Sequence, residues 1–392
     1  MKLSLATKNL YGQKMFQILK TCNELEKKGK KIYHFEIGDP KFDTPKKVVD
    51  KCIQELKKKN THYVPSSGLD VFKDAAIKRF SQTRGFVPKK DQILITQGGN
   101  IQIFYSLFCL TNKGDEIMIP DPSFVSYSSI INMLGLKCKK YDLLSKNDFQ
   151  IDIDQIIHNF KKNKTKAIII NSPNNPTGSI LLKKNLKKIY DFCKEKKIFL
   201  ISDEVYGRLV YENQNFYSPG SFDHCKKTTI LIHSLSKSYA MTGWRIGAVT
   251  APKEIISKMQ LLLETTSSCV PPFIQVAAAE AINSSQPEIN KMVAILNKNR
   301  LLFDKLISDI DSISYKVPKG AFYYFINISK VFKNDVKFCQ KLLTVKGVAC
   351  CPGSYFGKNG RGFVRFSFAT DTKTIKTGLK LFRDFLNNEE YL

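Results

Sequence analysis

The sequence contains no hydrophobic run that approaches the ~20 residues of a transmembrane helix. Its first residues, MKLSLATKNLYGQKMF, lack the apolar segment of a secretory signal peptide. No pair of its 10 cysteines has the C-x-x-C spacing of a zinc or redox motif, and disulfide geometry disfavours a bridge between the adjacent Cys350 and Cys351. We therefore expect reduced thiols, no metal centre and no membrane partner, in a cytoplasmic protein.

Arginine is scarce, with eight arginines among 62 cationic residues. The net charge of +27 is typical of proteins that bind nucleic acids. Such proteins usually rely on arginine as well, however, and the lysines here are spread along the whole chain in short groups. We interpret the charge as a compositional bias and expect no nucleic-acid partner.

The length of 392 residues, 43% of them hydrophobic, suffices for two domains and excludes a disordered or fibrous protein. Between residues 45 and 285, short β-branched runs alternate with helical patterns such as Leu186–Lys196. The predicted strands are Gln92–Thr96, Glu116–Pro120, Lys166–Asn171, Ile198–Ser202 and Thr229–His233. This alternation indicates an α/β domain with a largely parallel sheet, whose ligand site lies beyond the carboxyl ends of the strands.

The flanking segments have a different pattern. Residues 12–30 have the apolar spacing of an amphipathic helix. The C-terminal part predicts a helix at Pro287–Ile310, a strand at Ala321–Ile328, a helix at Asp335–Thr344, a strand at Gly362–Ala369 and a final helix. We therefore predict a second, smaller α+β domain formed by residues 1–44 and 286–392, beside the large domain at 45–285.

The strongest chemical signal is Lys237, which follows the predicted strand ending near His233. Burial lowers the pKa of a lysine and frees its amine to form a Schiff base with an aldehyde cofactor. Ser234, Ser236 and Arg245 surround it in the sequence with hydroxyl groups and a cation, which suit a phosphate monoester. A lone lysine would be uninformative, because most lysines are solvated surface groups.

A second signal is Asp203 with Tyr206, at the end of the strand IFLIS. A carboxylate there can keep a pyridinium nitrogen protonated, and the phenol can donate to the oxygen at position 3 of the same ring. The segment also has the pattern of a helix N-cap, with Ser202 or Asp203 as the cap and Glu204 in the first turn. Taken singly, the N-cap is the better interpretation.

Three further motifs are weaker alone. Asn175 lies in the turn sequence NNPTG, and Gly99 with Asn100 begins a predicted helix at a position suited to an anion. Arg365 lies on an apolar strand, where it must bind a carboxylate ligand or pair with an internal Asp or Glu.

In this order the motifs resemble the class I/II pyridoxal-phosphate-dependent aminotransferases of fold type I, including the prokaryotic aspartate aminotransferases. The resemblance covers nearly the whole chain and extends to the segments FEIGDP, FDTP and PKGAFY. It implies an α/β fold with a mostly parallel seven-stranded sheet between helices, a smaller α+β domain and a homodimer. It also implies the cofactor pyridoxal 5'-phosphate.

The resemblance also implies residue roles. Lys237 would carry the cofactor as a Schiff base, Asp203 would pair with the pyridinium nitrogen, and Tyr206 with Asn175 would bind the 3-oxygen. The phosphate would be held by Gly99, Asn100, Ser234, Ser236 and Arg245, and by Tyr63 from the neighbouring subunit. Phe124 would stack on the ring, and Arg365 with Gly38 and Asn175 would bind the substrate α-carboxylate.

The implied reaction is a ping-pong transfer of an amino group from an L-amino acid to a 2-oxo acid, with Lys237 as general base and acid. The resemblance favours glutamate and 2-oxoglutarate with aspartate or another amino acid. Asn100 stands where the aspartate enzymes carry a lysine after the Gly-Gly pair. Gln13 and Lys14 could still contact an acidic side chain, whereas Met15 and Phe16 could line an apolar pocket.

Three alternatives share the fold. A cysteine-conjugate β-lyase would use the same cofactor residues. A pyridoxal-phosphate-sensing transcription regulator would need an added DNA-binding segment, and only 37 residues precede Gly38. A catalytically inactive homologue is disfavoured by the presence of Lys237, Asp203 and Arg365.

Overall fold

The structure is a computed structural model that describes residues 7, 12–212, 214–388 and 390. Its strands are β1 (Tyr33–His34), β2 (Ile93–Thr96), β3 (Glu116–Asp121), β4 (Lys137–Asp142), β5 (Thr165–Asn171), β6 (Phe199–Asp203), β7 (Thr229–Ser234), β8 (Gly247–Thr250), β9 (Ser314–Tyr315), β10 (Tyr323–Asn327), β11 (Val348–Ala349), β12 (Cys351–Pro352) and β13 (Phe363–Ser367). Its helices are α1 (Met15–Lys27), α2 (Lys46–Lys57), α3 (Asp70–Arg84), α4 (Gly99–Leu110), α5 (Val125–Met133), α6 (Ile153–Asn159), α7 (Lys183–Lys196), α8 (Gly220–Asp223), α9 (Leu235–Ser238), α10 (Lys253–Ser267), α11 (Pro272–Ser284), α12 (Gln286–Ile307), α13 (Asp335–Lys346) and α14 (Thr372–Leu386). None of the helices within these ranges is long and apolar enough to cross a membrane.

The central sheet has seven strands in the order β2-β8-β7-β6-β5-β3-β4. All neighbours are parallel except β8, which runs antiparallel to β2 and β7. In β5, Ala167 and Ile169 pack in one core cluster while Ile168 and Ile170 pack in another, because successive side chains point to opposite faces. Burial on both faces explains the continuous apolar runs of these strands and confirms the predicted mostly parallel sheet.

A smaller antiparallel sheet has the order β12-β13-β10-β9 and packs against α12, α13 and α14. Its core is aromatic: Phe303 of α12 stacks on Tyr324 with ring centroids 4.3 Å apart and meets Phe366 edge to face. Strand β1 pairs in parallel with β11, which ties the segment before residue 45 to the C-terminal part of the chain. The domain division at 45 and 285 stays a prediction, and this pairing agrees with it.

The ends of several predicted elements differ from the observed ones. The predicted helix 12–30 is observed at Met15–Lys27, followed by Gly29 with φ of 84°, a left-handed conformation that suits glycine. The predicted strand Ala321–Ile328 is observed at Tyr323–Asn327, because Ala321 has a φ of 56° that is incompatible with a strand. Apolar character extends beyond the hydrogen-bonded ladder, so it does not define the strand ends.

Candidate active site

A cavity of about 470 Å³ lies at the carboxyl ends of β5, β6 and β7. Its volume is within the range of small-molecule sites. Of the predicted site residues, those that line it are Gly38, Gly99, Asn100, Phe124, Asn175, Asp203, Tyr206, Ser234, Ser236, Lys237, Arg245 and Arg365. The fold therefore brings together residues from segments more than 300 positions apart.

Lys237 lies in the short helix α9 directly after β7, and the Ser234 side chain caps this helix by accepting from the Ser236 N–H. The Lys237 amine donates to the carbonyl of Gly38 at 2.5 Å. Burial is the largest cause that lowers the pKa of this amine, which falls to about 8. The positive charges of Arg365 and Arg245 also lower it, whereas Asp39 raises it. The neutral, nucleophilic fraction of this amine at pH 7 is therefore far larger than that of an ordinary exposed lysine.

Asp203 is the last residue of β6, and its carboxylate accepts from the Tyr127 hydroxyl at 2.6 Å and from the Val205 N–H at 3.2 Å. Burial raises the pKa of this carboxyl to about 6. Within the described part of the chain, no cation pairs with it. A cationic ligand group on the cavity would supply the missing charge and keep the carboxylate ionised.

The N-cap interpretation of this segment is wrong. No helix begins directly after Asp203, because residues 205–208 form a turn. Glu204 turns away from the cavity and accepts from Arg84 at 2.5 Å and from Ser218 at 2.7 Å. The polar pattern that resembles a cap is explained by this buried ion pair with a residue 120 positions away.

One corner of the cavity gathers groups suited to an anion. Gly98 has a φ of 82°, and α4 begins at Gly99, so the N-terminus of the helix opens onto the cavity beside Asn100. Arg245 donates to Ser236 Oγ at 3.4 Å, and the hydroxyls of Ser234 and Ser236 are 2.9 Å apart. The φ of Gly98 favours glycine, and a Cβ there would also lie 2.7 Å from Arg245 Nη2 and displace this guanidinium. Helix N–H groups, hydroxyls and a guanidinium together form a phosphate site.

Arg365 lies on β13, is 1% exposed and forms no ion pair with an Asp or Glu among the described residues. Its guanidinium donates to Asn175 Oδ1 at 2.9 Å and to the carbonyl of Glu36 at 2.6 Å, and it lies over the rings of Tyr323 and Phe356. The predicted alternative of an Asp or Glu partner is therefore wrong. A buried guanidinium held by neutral acceptors keeps its full charge for an anionic ligand.

The remaining predicted residues differ in position. Tyr206 faces the cavity with its hydroxyl 2.7 Å from that of Tyr323, and Phe124 packs edge to face on Tyr127. Tyr63, in contrast, is 85% exposed and does not line the cavity of its own chain. The sequence analysis missed Tyr127 and Tyr323. Tyr127 is three residues after Phe124, one helical turn, and only the three-dimensional structure shows that it reaches Asp203.

A buried lysine, a buried aspartate and a group of phosphate donors line one cavity at the carboxyl ends of a mostly parallel sheet. This combination defines a fold type I pyridoxal-phosphate-dependent enzyme. The sequence profile of the family "Aminotransferase class I and II" matches residues 30–382. The chain belongs to this family and is a pyridoxal-phosphate-dependent transaminase.

Among its relatives, (5-formylfuran-3-yl)methyl phosphate transaminase of Methanocaldococcus jannaschii is 36% identical over 97% of this chain and 98% of the relative. Aspartate aminotransferase of Pyrococcus horikoshii is 34% identical over 90% of each chain. The solved alanine aminotransferase of Pyrococcus furiosus superposes with a TM-score of 0.93 at 29% identity, covering 98% of this chain and 99% of the other.

The residues of the cavity fit this cofactor on the evidence of the structure itself. Asp203 is a buried carboxylate with no cationic partner among the described residues, so it is free to pair with a pyridinium nitrogen. The corner beside Gly98 and Arg245 offers donors to a phosphate. The Lys237 amine lies on the same cavity.

Proposed function

We propose that the chain transfers an amino group from an L-amino acid to a 2-oxo acid, with glutamate and 2-oxoglutarate as one substrate pair. The observation that carries this proposal is that Lys237, Asp203 and Arg365 line the same cavity. Together they offer a base, an ionic partner for the cofactor ring and a site for a carboxylate. The lyase alternative has no support over transamination among the relatives, which are named as aminotransferases.

In this proposal the bound cofactor supplies an electron sink for the substrate α-carbon. Lys237 Nζ removes the proton from that carbon and later donates it to complete the transfer of the amino group. Asp203 stays ionised against the ring nitrogen, and Tyr127 holds the carboxylate in place by its 2.6 Å hydrogen bond. Tyr206 donates to the ring 3-oxygen and is oriented by Tyr323.

The other proposed contacts follow the cavity geometry. Gly99, Asn100, Ser234, Ser236 and Arg245 hold the phosphate, and Phe124 covers one face of the ring. Arg365 binds the α-carboxylate with Asn175 and Gly38 beside it. Binding the carboxylate on one side and the phosphate on the other fixes the reacting α-carbon near Lys237.

The side-chain end of the cavity supports an apolar or aromatic donor. Met15, Phe16 and Ile37 line it together with Gln13, which is held by Ser126 at 3.0 Å. Lys14 is not part of this wall, because its amine lies over the Tyr355 ring. Among the described residues that line the cavity, the cations are Lys237, Arg245 and Arg365, and each already has a proposed role. These residues therefore offer no dedicated cation to the distal carboxylate of aspartate or glutamate, and glutamate, as one member of the proposed substrate pair, would be bound at this end by the neutral Gln13 amide.

A half-reaction with single amino acids tests this proposal. The enzyme is loaded with pyridoxal phosphate and mixed with Glu, Asp, Ala, Phe or Lys, and conversion to the pyridoxamine form is followed by absorbance. We expect Phe to convert the cofactor at least about 10-fold faster than Asp, the size of effect that about 1.4 kcal/mol of side-chain burial gives. Conversion by none of them, with pyruvate released from a cysteine conjugate, would contradict transamination and support the lyase.

We further propose that the enzyme is a cytoplasmic homodimer in which Tyr63 reaches the phosphate of the neighbouring active site. Its exposed phenol supports this role, since it has no contact with the cavity of its own chain. In Tyr63→Phe we expect about 10-fold weaker retention of pyridoxal phosphate, because a hydrogen bond to a charged group is lost. Sedimentation velocity should give a dimer for both proteins. Tyr217→Phe is the control, and a monomer that retains the cofactor normally would refute the role.

A further inference from the structure

A second group of reactive side chains lies outside the catalytic cavity, between α1 and β1. Cys22 and Glu26 are one helical turn apart and share a face of α1, while His34 and Glu36 are two residues apart and share a face of an extended segment. Single donor atoms of Cys22, His34 and Glu36 all lie within 4.8 Å of one another. None of these residues lines the cavity described above.

The negative charges of Glu26 and Glu36 exceed the positive charge that His34 can supply. Glu36 is fully buried, and its Oε1 is 2.9 Å from His34 Nδ1, but its Oε2 has no hydrogen-bond partner in the part of the chain that the structure describes. The exposed Glu26 approaches the other ring nitrogen, Nε2, at 3.1 Å. One imidazole can supply at most one positive charge to two carboxylates. A buried carboxylate oxygen without a partner is costly, and it calls for a cation at this point.

We propose that Cys22, His34 and Glu36 bind a divalent transition-metal ion of the Zn²⁺ type. A thiolate, an imidazole and a carboxylate are the ligands that tetrahedral zinc takes, with bonds of about 2.0–2.3 Å. Ligand atoms at these bond lengths lie roughly 3.5 Å apart. Metal binding would therefore part His34 Nδ1 from Glu36 Oε1, which are 2.9 Å apart, and draw together any donor atoms that lie near the 4.8 Å limit. A solvent molecule completes the coordination.

The arrangement of Glu26 fits this assignment. A histidine that binds a metal through one ring nitrogen commonly donates from the other to a carboxylate, which fixes the ring. The Nε2–Glu26 contact provides this second hydrogen bond, leaving Nδ1 on the side of Glu36 as the ligand atom. Metal binding displaces the proton of the Cys22 thiol and the proton shared between His34 and Glu36, so affinity falls as the pH is lowered.

The metal would be structural and not catalytic. It would join α1, whose first turn carries Met15 and Phe16 on the cavity wall, to the segment that leads to Gly38. Glu36 also accepts from Arg365 through its backbone carbonyl. The sequence gives no sign of the site, because the ligand spacing of 22, 34 and 36 matches no known metal motif.

Titration of the chelator-treated holoenzyme with Co²⁺ tests the proposal. The readout is the long-wavelength absorption of tetrahedral Co²⁺, which lies beyond the cofactor bands, together with the thiolate charge-transfer band. We expect about one Co²⁺ per chain, displaced by Zn²⁺. Cys22→Ser and His34→Gln should each weaken binding at least about 10-fold and, for Cys22→Ser, remove the charge-transfer band. The matched controls are Cys52→Ser and His158→Gln, which should bind as the unaltered protein does.

If Cys22→Ser does not fold, Glu26→Gln replaces it, since Glu26 is largely exposed and its loss should still weaken binding about 10-fold. Absence of tetrahedral Co²⁺ absorption in the unaltered protein would overturn the proposal. Binding that is equal in all variants would also overturn it, because the metal would then be held by other thiols. Neither result depends on transaminase activity.

Discussion

Lys237→Ala is expected to lower transaminase activity by at least about 10⁴-fold and to abolish the absorption band of lysine-bound cofactor. The change removes the nucleophile that holds the cofactor and the base that moves the α-carbon proton, and a positioned base alone contributes about 10²–10⁴-fold. The pKa of about 8 gives this amine its role: at pH 7 about a tenth of it is neutral, whereas an ordinary exposed lysine is almost fully protonated. The neutral fraction rises through one half near pH 8 and levels off above about pH 9.

The fold should survive this substitution. Lys237 is a desolvated cation near Arg245 and Arg365, so its removal relieves like-charge repulsion while costing one hydrogen bond to Gly38. We therefore expect a thermal midpoint within a few degrees of the unaltered protein. Lys14→Ala is the matched control, because its amine lies over Tyr355 and not on the cavity. An unchanged cofactor band in Lys237→Ala would show that another amine carries the cofactor.

The positions of Lys237 and Asp203 could be predicted because Asp203 ends one buried strand and Lys237 lies in the short helix directly after another. Parallel strands bring their carboxyl ends to one edge, so residues such as Asn171 and Asp203, far apart in sequence, become neighbours in register. The glycine pair before α4 was predictable for a similar local reason, since the backbone conformation of Gly98 is rare in other residues.

The partners of the same residues could not be predicted, because they come from distant elements. The segment SDEVY alone does not distinguish a helix cap from a carboxylate bound by Tyr127. The position of Glu204 depends on its ion pair with Arg84, which is 120 residues away in the sequence. The acceptors of Arg365 include the backbone carbonyl of Glu36, and a carbonyl leaves no trace in the sequence. The sequence therefore predicts the positions of charged side chains more readily than the partner groups that bind them.

Arg365→Ala is expected to lower kcat/KM by about 10²–10³-fold, mainly through KM, while the cofactor stays bound. Removing one partner of a buried charged pair costs about 2–5 kcal/mol, and the substrate carboxylate is the anion this guanidinium would meet. The cofactor contacts at Asp203 and Arg245 are separate from it, so the absorbance of the loaded enzyme should not change. Binding of an amino-acid analogue, followed by the cofactor spectrum, measures the affinity directly.

Two further variants separate substrate binding from folding in this prediction. Arg365→Lys keeps the charge but loses the planar fork that reaches Asn175 and Glu36 together, so it should recover only part of the affinity. Arg300→Lys is the control, since Arg300 is a buried arginine of the same part of the chain that pairs with Glu212 away from the cavity. Loss of cofactor in Arg365→Ala with unchanged analogue affinity would assign Arg365 a structural role. A raised KM in Arg365→Ala but not in Arg300→Lys would instead locate the carboxylate at the guanidinium of Arg365, because burial alone is common to both arginines.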